Sequence, residues 1–131
     1  ISLDRLDEAH KALLTETKTL IETLTQTLSL YVQDPASHSL QALPEYLKEL
    51  SCAAAFLGSS AQQTALLTAA NFAQNRLNQN LALDAEQVNC ILNVVAGLDL
   101  LVDNLKNKQP VLQSMFDVAL SSSQQLQNIA A

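Results

Sequence analysis

The feature that most constrains this fold is a stripe of mostly apolar residues that recurs every three or four positions near the start of the chain. Its members are Leu3, Leu6, His10, Leu13, Thr17, Leu20, Leu24, Leu28 and Tyr31. Leu14 and Ile21 widen the same stripe. Side chains at this spacing share one face of an α-helix, so the stripe predicts a long amphipathic helix from about Leu3 to Val32.

The second predicted helix follows a turn at 34–37, where Pro35 disfavours helical geometry in the residue before it and Ser37 is the expected N-cap. Pro44 falls inside this helix, so we expect a short lead-in that bends before the main helix starts near Leu43. The inward seam consists of Leu43, Leu47, Leu50, Ala54 and Leu57, with Gly58 as the expected stop.

Three more helices with the same periodicity follow. Their expected bounds are Ala61–Asn78 after a cap at Ser59 or Ser60, Asp84–Lys106 opened by a capping box of Asp84 and Gln87, and a last helix that begins at Pro110. No segment alternates with period two, and the chain has only two glycines and three prolines. The sequence therefore predicts an all-α fold, an antiparallel up-down bundle of about five helices.

Composition narrows the functional classes. Hydrophobic residues make up 48% of the chain but aromatic residues only 4%, so the core must consist mainly of leucine, alanine, isoleucine and valine. The net charge of −6 argues against binding to nucleic acid or to an anionic membrane, since both need clustered Lys and Arg. No apolar run approaches the ~18 residues of a membrane span and no signal peptide is evident, so we expect a cytoplasmic protein without a membrane span.

The cysteines and the length bear on the organisation of the protein. Cys52 and Cys90 lie far apart within helical patterns, which favours reduced thiols over a disulfide. The 131 residues suit one domain. Because the sequence starts at Ile1 and has no initiating methionine, we expect residues 1–131 to be a single domain excised from a longer multi-domain protein.

The run from Leu47 to Gly58 has a more specific spacing. It reads Leu47-Lys48-Glu49-Leu50-Ser51-Cys52-Ala53-Ala54-Ala55-Phe56-Leu57-Gly58. It resembles the phosphoacceptor helix of histidine phosphotransfer (Hpt) domains, in which a lysine lies three positions and a glycine four positions after the phosphorylated histidine. Laid on that pattern, Lys48 replaces the histidine, Ser51 the lysine and Cys52 the glycine.

These three replacements remove the chemistry of phosphotransfer. In the Hpt family the histidine points into water, the lysine on the same helix face neutralises the phosphoryl group, and the glycine lets the partner approach closely. A lysine side chain is ordinarily protonated at neutral pH and has no lone pair with which to attack a phosphoryl group. We therefore expect no enzyme and no cofactor.

The order of elements extends the resemblance. A long helix ending in Tyr31-Val32-Gln33-Asp34-Pro35 precedes the motif helix, and a Lys108-Gln109-Pro110 turn follows the fourth. The chain resembles the degenerate phosphotransfer domains of the type IV pilus chemosensory system, which occur in FimL-type scaffold proteins and in the N-terminal region of pilus-chemotaxis kinases. The resemblance implies that the bundle has an Hpt-like four-helix core. It also implies a scaffold module of twitching-motility signalling that binds a response-regulator receiver domain or a pilus-polarity protein, and through it reaches the cell pole.

Five residues of the motif helix are the candidate partner-binding site: Glu45, Lys48, Ser51, Cys52 and Ala55. In the functional interpretation, Lys48 meets the acidic pocket of a receiver and the small residues keep the surface smooth. In the structural interpretation, Lys48 is a solvated lysine beside Glu45, and the small residues pack closely against a neighbouring helix. The sequence leaves both interpretations open.

The remaining chemistry-bearing residues favour structural roles. His10 falls on the apolar stripe and is expected to be partly buried, His38 is expected in a loop, and Asp99 and Asp103 are expected on a solvated acidic face. No Glu-x-x-His or Cys-x-x-Cys pair indicates a metal site. Two other functions stay open: a structural or dimerisation bundle of a signalling receptor, which would self-associate, and phosphotransfer through His10 or His38.

Overall fold

Five α-helices and one short 3₁₀-helix make up the computed structural model, which describes residues 3–130 and the side chains of residues 7–129. The bounds are α1 Leu3–Gln33, α2 Leu43–Phe56, α3 Ser60–Asn78, α4 Ala85–Lys106, the 3₁₀-helix Gln113–Phe116 and α5 Asp117–Ala130. Within this described part of the chain there is no strand. The prediction of an all-α bundle of about five helices is confirmed.

Helix α1 buries one face of its central and C-terminal turns. The buried residues are Leu14, Thr17, Ile21, Leu24, Leu28 and Tyr31, which follow the predicted stripe. Residues 7–12 are all exposed, because the neighbouring helices leave these turns uncovered. The expected partial burial of His10 is therefore wrong, and the side chains of Leu3 and Leu6 lie outside the described residues.

The connection between α1 and α2 differs from the prediction. Residues 38–40 are not helical, and α2 begins at Leu43 with Pro44 in its first turn. The predicted main start near Leu43 is confirmed, whereas the N-cap at Ser37 and its helical lead-in are wrong. A helix running through Pro44 would lack one hydrogen bond and would clash with the preceding turn, but proline fits the first turn without either cost. Buried Leu40 anchors the link to the core.

The predicted capping chemistry is confirmed at three helix ends. Gly58 follows α2 with a φ of +89°, in the left-handed region that glycine adopts freely. Ser59 caps α3, since its Oγ accepts the backbone N–H of Gln62 at 3.1 Å. The capping box of α4 is complete: Asp84 Oδ1 accepts from the Gln87 backbone at 2.8 Å, and Gln87 Oε1 accepts from the Asp84 backbone at 3.0 Å.

The predicted start of the last helix is wrong. Pro110 lies in an irregular loop, the 3₁₀-helix begins three residues later, and α5 begins at Asp117. The side-chain amide of Asn104 donates to the carbonyl oxygen of Pro110 at 2.7 Å. In a helix starting at Pro110, that oxygen would instead accept a backbone N–H one turn later. The contact with α4 thus holds the loop in a different path.

The helices pack as two hairpins, α2–α3 and α4–α5, and α1 packs against one helix of each hairpin. α2 packs against α3, α4 packs against α5, α3 contacts both α4 and α5, and α1 contacts α4 and α2. One continuous core joins them, and its fully buried leucines include Leu24, Leu47, Leu66, Leu98 and Leu126. At one end, which we name the Phe56 end, the α2–α3 turn lies beside the α4–α5 loop. At the other, the Tyr31 end, the α1–α2 link meets the α3–α4 loop.

An ion-pair cluster joins α1 to α4. The ammonium of Lys18 donates to Asp99 at 2.6 Å and to Asp103 at 3.2 Å. The hydrogen bond to Asp99 is the main cause that raises the pKa of Lys18, and the bond to Asp103 adds to it against the effect of burial. The side chains of Asp99 and Asp103 stay 35% and 48% exposed, in line with the predicted solvated face, but that prediction did not include their ion pairs with Lys18.

Helix α4 is long and apolar enough, by length and composition alone, to cross a membrane. The expectation that no run comes close to a membrane span overlooked this helix. Half of its most apolar stretch is buried inside the bundle, where residues such as Ile91 and Leu98 form the core. A single helix of this kind is weak evidence for a span, because the central helix of a bundle has the same composition.

Candidate partner-binding site

Lys48 lies near the middle of α2 and extends into solvent, with its side chain 46% exposed. The carboxylate of Glu45, one turn earlier, is 3.6 Å from the Lys48 ammonium. An exposed pair of this kind contributes at most about 1 kcal/mol, so a partner's charge can replace it at little cost. Lys48 is therefore an accessible charged position near the middle of α2.

Ser51 is not part of this surface. Its side chain is buried, at 2% exposure, and its hydroxyl donates to the carbonyl oxygen of Lys48 at 2.6 Å. A partner that approaches α2 from solvent therefore cannot contact the Ser51 hydroxyl without a rearrangement. Of the two interpretations that the sequence left open for the small residues, close packing within the bundle describes Ser51.

Cys52 and Ala55 are exposed and lie one and two turns after Lys48 on the same side of α2. The structure adds Phe56, which sequence reasoning missed and which is 83% exposed. The sequence did contain a signal for this exposure. Phe56 is not a member of the inward seam, which runs through Leu50, Ala54 and Leu57 with three-and-four spacing. We name the exposed arc of this helix the α2 face; it consists of Glu45, Lys48, Glu49, Cys52, Ala55 and Phe56.

The α2 face carries little chemistry. It contains no histidine, and its one thiol, Cys52, is free. His10 lies on α1 and His38 in the α1–α2 link, so neither belongs to α2. Among the residues that the structure describes, no group of three or more His, Cys, Asp or Glu side chains is placed to hold a metal ion.

A groove of about 400 Å³ runs beside the α2 face, between α1 and α2. Its lining combines leucines with two carboxylates and a row of threonines: Leu13, Leu20, Leu50, Glu16, Glu49, Thr15, Thr19 and Thr23. The hydroxyls of Thr19 and Thr23 donate to backbone carbonyls one turn earlier, at 3.1 and 3.0 Å. Their protons are already used, so the groove offers mainly apolar surface edged by acid groups.

More apolar surface lies at the Phe56 end. A cavity of about 240 Å³ separates the α2–α3 turn at residues 57–61 from the α4–α5 loop, where Val111 and Phe116 line it. Val111, Leu112 and Val118 are 42%, 59% and 60% exposed. Exposed apolar groups so close together on a small domain are typical of interaction surfaces. The α2 face therefore ends at a second apolar patch.

Comparison with protein families gives one match. The family described as the FimL C-terminal domain matches residues 4–123 of the chain, which is most of its length. No curated protein and no solved structure matches it.

Proposed function

The chain belongs to the FimL C-terminal domain family, and from this premise we propose that it is a non-catalytic interaction module of a pilus-signalling scaffold. In this proposal the α2 face binds another protein and passes no phosphate. The domain is a pseudo-phosphotransfer module, in which the acceptor position has become a docking position.

The observation that carries the proposal is the exposed Phe56 on the same face as Lys48. Burying an aromatic side chain of this size against a partner contributes about 2–3 kcal/mol. An aromatic anchor that becomes desolvated is a common binding hot spot. Lys48 lies about two turns before Phe56 on the α2 face and adds a charged contact.

The loss of phosphotransfer rests on Lys48. An ammonium group cannot accept a phosphoryl group while it is protonated, and no imidazole lies on α2 to replace it. The buried Ser51 likewise offers no cation at the position where the Hpt motif has its lysine. The same face can still recognise the surface of a phosphotransfer partner.

As the partner we propose a response-regulator receiver domain or a pilus-polarity protein, in the cytoplasm and at the cell pole. The acidic pocket of a receiver complements the ammonium of Lys48. Glu45 and Glu49 flank that ammonium, so the partner must place basic groups at the rim of its pocket. The net charge of −6 favours a partner with such a basic rim over a uniformly acidic one.

The test is a calorimetric titration of the domain with the receiver domains encoded beside its own gene. Lys48→Glu and Phe56→Ser should each weaken binding about tenfold or more. The matched controls are Lys106→Glu, the same charge change on α4, and Leu100→Ser, a loss of exposed apolar surface on the same helix. Both should bind within about twofold of the wild type.

Three results would contradict the proposal. Equal binding by all variants would move the docking surface away from α2. Absence of receiver binding together with self-association that Phe56→Ser abolishes would identify the domain as a dimerisation bundle. Acid-labile phosphate on the domain after incubation with a phosphorylated receiver would show that His10 or His38 transfers phosphate.

A further inference from the structure

The Tyr31 end of the bundle contains a cavity of about 210 Å³, at the opposite end of α2 from Phe56. Apolar residues from the α1–α2 link, α2, α3 and the α3–α4 loop line it, including Leu40, Leu43, Leu77 and Leu83. Four polar side chains also line it: Tyr31, Ser39, Gln41 and Arg76. A pocket that combines apolar walls with a few convergent polar groups is a usual form of small-molecule site.

Arg76 is short of hydrogen-bond partners. Its Nη2 donates to the carbonyl oxygen of Ala82 at 2.6 Å, and its guanidinium carbon lies 6.0 Å from the centre of the Phe72 ring. Its Nε is buried and has no partner. No carboxylate forms an ion pair with Arg76 within the described residues, although the guanidinium offers five N–H donors. Such a group gains much from an anion placed beside it.

Tyr31 supplies a second donor. Its side chain is buried, and its hydroxyl oxygen accepts the backbone N–H of Leu83 at 3.1 Å. The phenolic proton itself has no acceptor among the side-chain hydrogen bonds of residues 7–129. A ligand oxygen that enters the cavity can accept this proton while the oxygen of Tyr31 keeps its bond to the backbone.

The start of α2 also lies at the cavity, since Leu43 lines it. Its N–H groups are mostly used: that of Leu43 donates to the carbonyl oxygen of Leu40 at 3.1 Å, and Pro44 has none. The acidic side chain of Glu45 lies in the same first turn. The preference for an anionic ligand therefore comes from Arg76 and Tyr31.

We propose that this cavity binds a small amphiphilic carboxylate, whose carboxylate pairs with Arg76 and Tyr31 and whose hydrocarbon part contacts the surrounding leucines. A cavity of about 210 Å³ has room for a short unbranched chain. The ligand connects the α1–α2 link to the α3–α4 loop, so it stabilises the bundle when bound. The site lies at the N-terminal end of α2, whereas Phe56 lies at the C-terminal end of that helix.

The test uses octanoate as the probe and tyrosine fluorescence as the signal. The chain has two tyrosines and no tryptophan, so in a Tyr46→Phe background Tyr31 is the only strong fluorophore and reports on the cavity. Octanoate should change this signal saturably and raise the unfolding temperature. n-Octylamine, with the same chain and the opposite charge, should do neither.

Two variants separate the proposed contacts. Arg76→Lys keeps the charge but loses the planar donor pair, and it should weaken octanoate binding about tenfold, as followed by the same fluorescence change. Tyr31→Phe, measured by calorimetry, should weaken octanoate binding several-fold. Because this substitution removes only one hydroxyl, it still tests the site if Arg76→Lys fails to fold. Lys11→Met, which removes an exposed lysine on α1, is the matched control and should bind like the wild type.

Each remaining outcome would overturn the proposal. Octanoate that neither binds saturably nor stabilises the domain would show that the cavity is only a packing gap. Equal binding of octylamine would exclude recognition of the carboxylate. Unchanged affinity in both Arg76→Lys and Tyr31→Phe would place any bound octanoate in another groove.

Discussion

Replacing Gly97 by alanine tests the packing of α3 against α4 most directly. Gly97 is buried in α4, where a Cβ atom would overlap the Oε1 atom of Gln62 and lie 2.9 Å from the Cβ of Ala119. Gln62 is itself fully buried in α3, and its Nε2 donates to the carbonyl oxygen of Val94 at 2.5 Å. The added methyl group must therefore displace a buried amide, since backbone and core surround it.

The expected change combines three contributions to the free energy of unfolding. Alanine gains about 1 kcal/mol over glycine in helix propensity. Overpacking of a filled core costs about 1–3 kcal/mol. Displacing the Gln62 amide from Val94 leaves a buried polar group unpaired, which costs about 1–3 kcal/mol more. The net loss is about 1–5 kcal/mol, and we expect about 3 kcal/mol for Gly97→Ala.

Urea unfolding followed by circular dichroism measures this change, and Ala96→Gly on the exposed side of α4 calibrates the propensity contribution alone. A double-mutant cycle then isolates the contact: in a Gln62→Ala background, Gly97→Ala should cost at least about 1 kcal/mol less than in the wild type. If Gly97→Ala is neutral, or costs the same in both backgrounds, the close approach of Gln62 to Gly97 does not limit the packing.

Three further predictions concern the ion-pair cluster and the thiols. Lys18→Met should lower the free energy of unfolding by about 1–2 kcal/mol, measured by urea unfolding at neutral pH, because Asp99 and Asp103 are left facing each other. The folded-state pKa of Lys18 is raised above the ordinary 10.5, so the stabilisation by its ion pairs is complete below pH 10.5 and is lost as the pH rises through the folded-state pKa. The wild type should therefore lose more stability than Lys18→Met as the pH rises above 10.5. Equal losses in the two proteins would contradict this expectation. A thiol reagent should modify the exposed Cys52 rapidly but Cys90 only on unfolding. The main reason is burial, which also raises the pKa of the Cys90 thiol and so lowers its reactivity. Equal rates for the two thiols in the native protein would contradict the burial of Cys90.

Periodicity and capping predicted the helices because both depend on residues within one or two turns. Local hydrogen bonds form the cap of α3 at Ser59 and the capping box of Asp84 with Gln87, and both predictions are confirmed. The two wrong helix starts have different causes. The one at Ser37 fails because Pro44 fits only the first turn of α2, whereas the one at Pro110 fails because of a contact beyond the local turn. At Pro110 the carbonyl is bonded to Asn104 of another helix, which no local rule includes.

The candidate site was predictable only in part. The spacing of the motif helix indicated that Lys48 is accessible, since the periodicity of a helix sets which of its sides a residue faces. It did not separate Ser51 from Cys52, although they are neighbours in sequence. One is buried and the other exposed because the boundary of the α2 face depends on where the adjacent helices lie.

The sequence by itself determined the number of helices, most of their ends, the apolar seams and the absence of an acceptor histidine on the motif helix. Only the tertiary structure decided that Lys18 reaches Asp99, that residues around His10 are uncovered, and that Arg76 and Tyr31 share a cavity. The physical reason is the distance along the sequence over which each kind of interaction acts. Helix formation is governed by interactions within about four residues, whereas the burial and charge pairing of a side chain depend on residues tens of positions away that packing brings beside it.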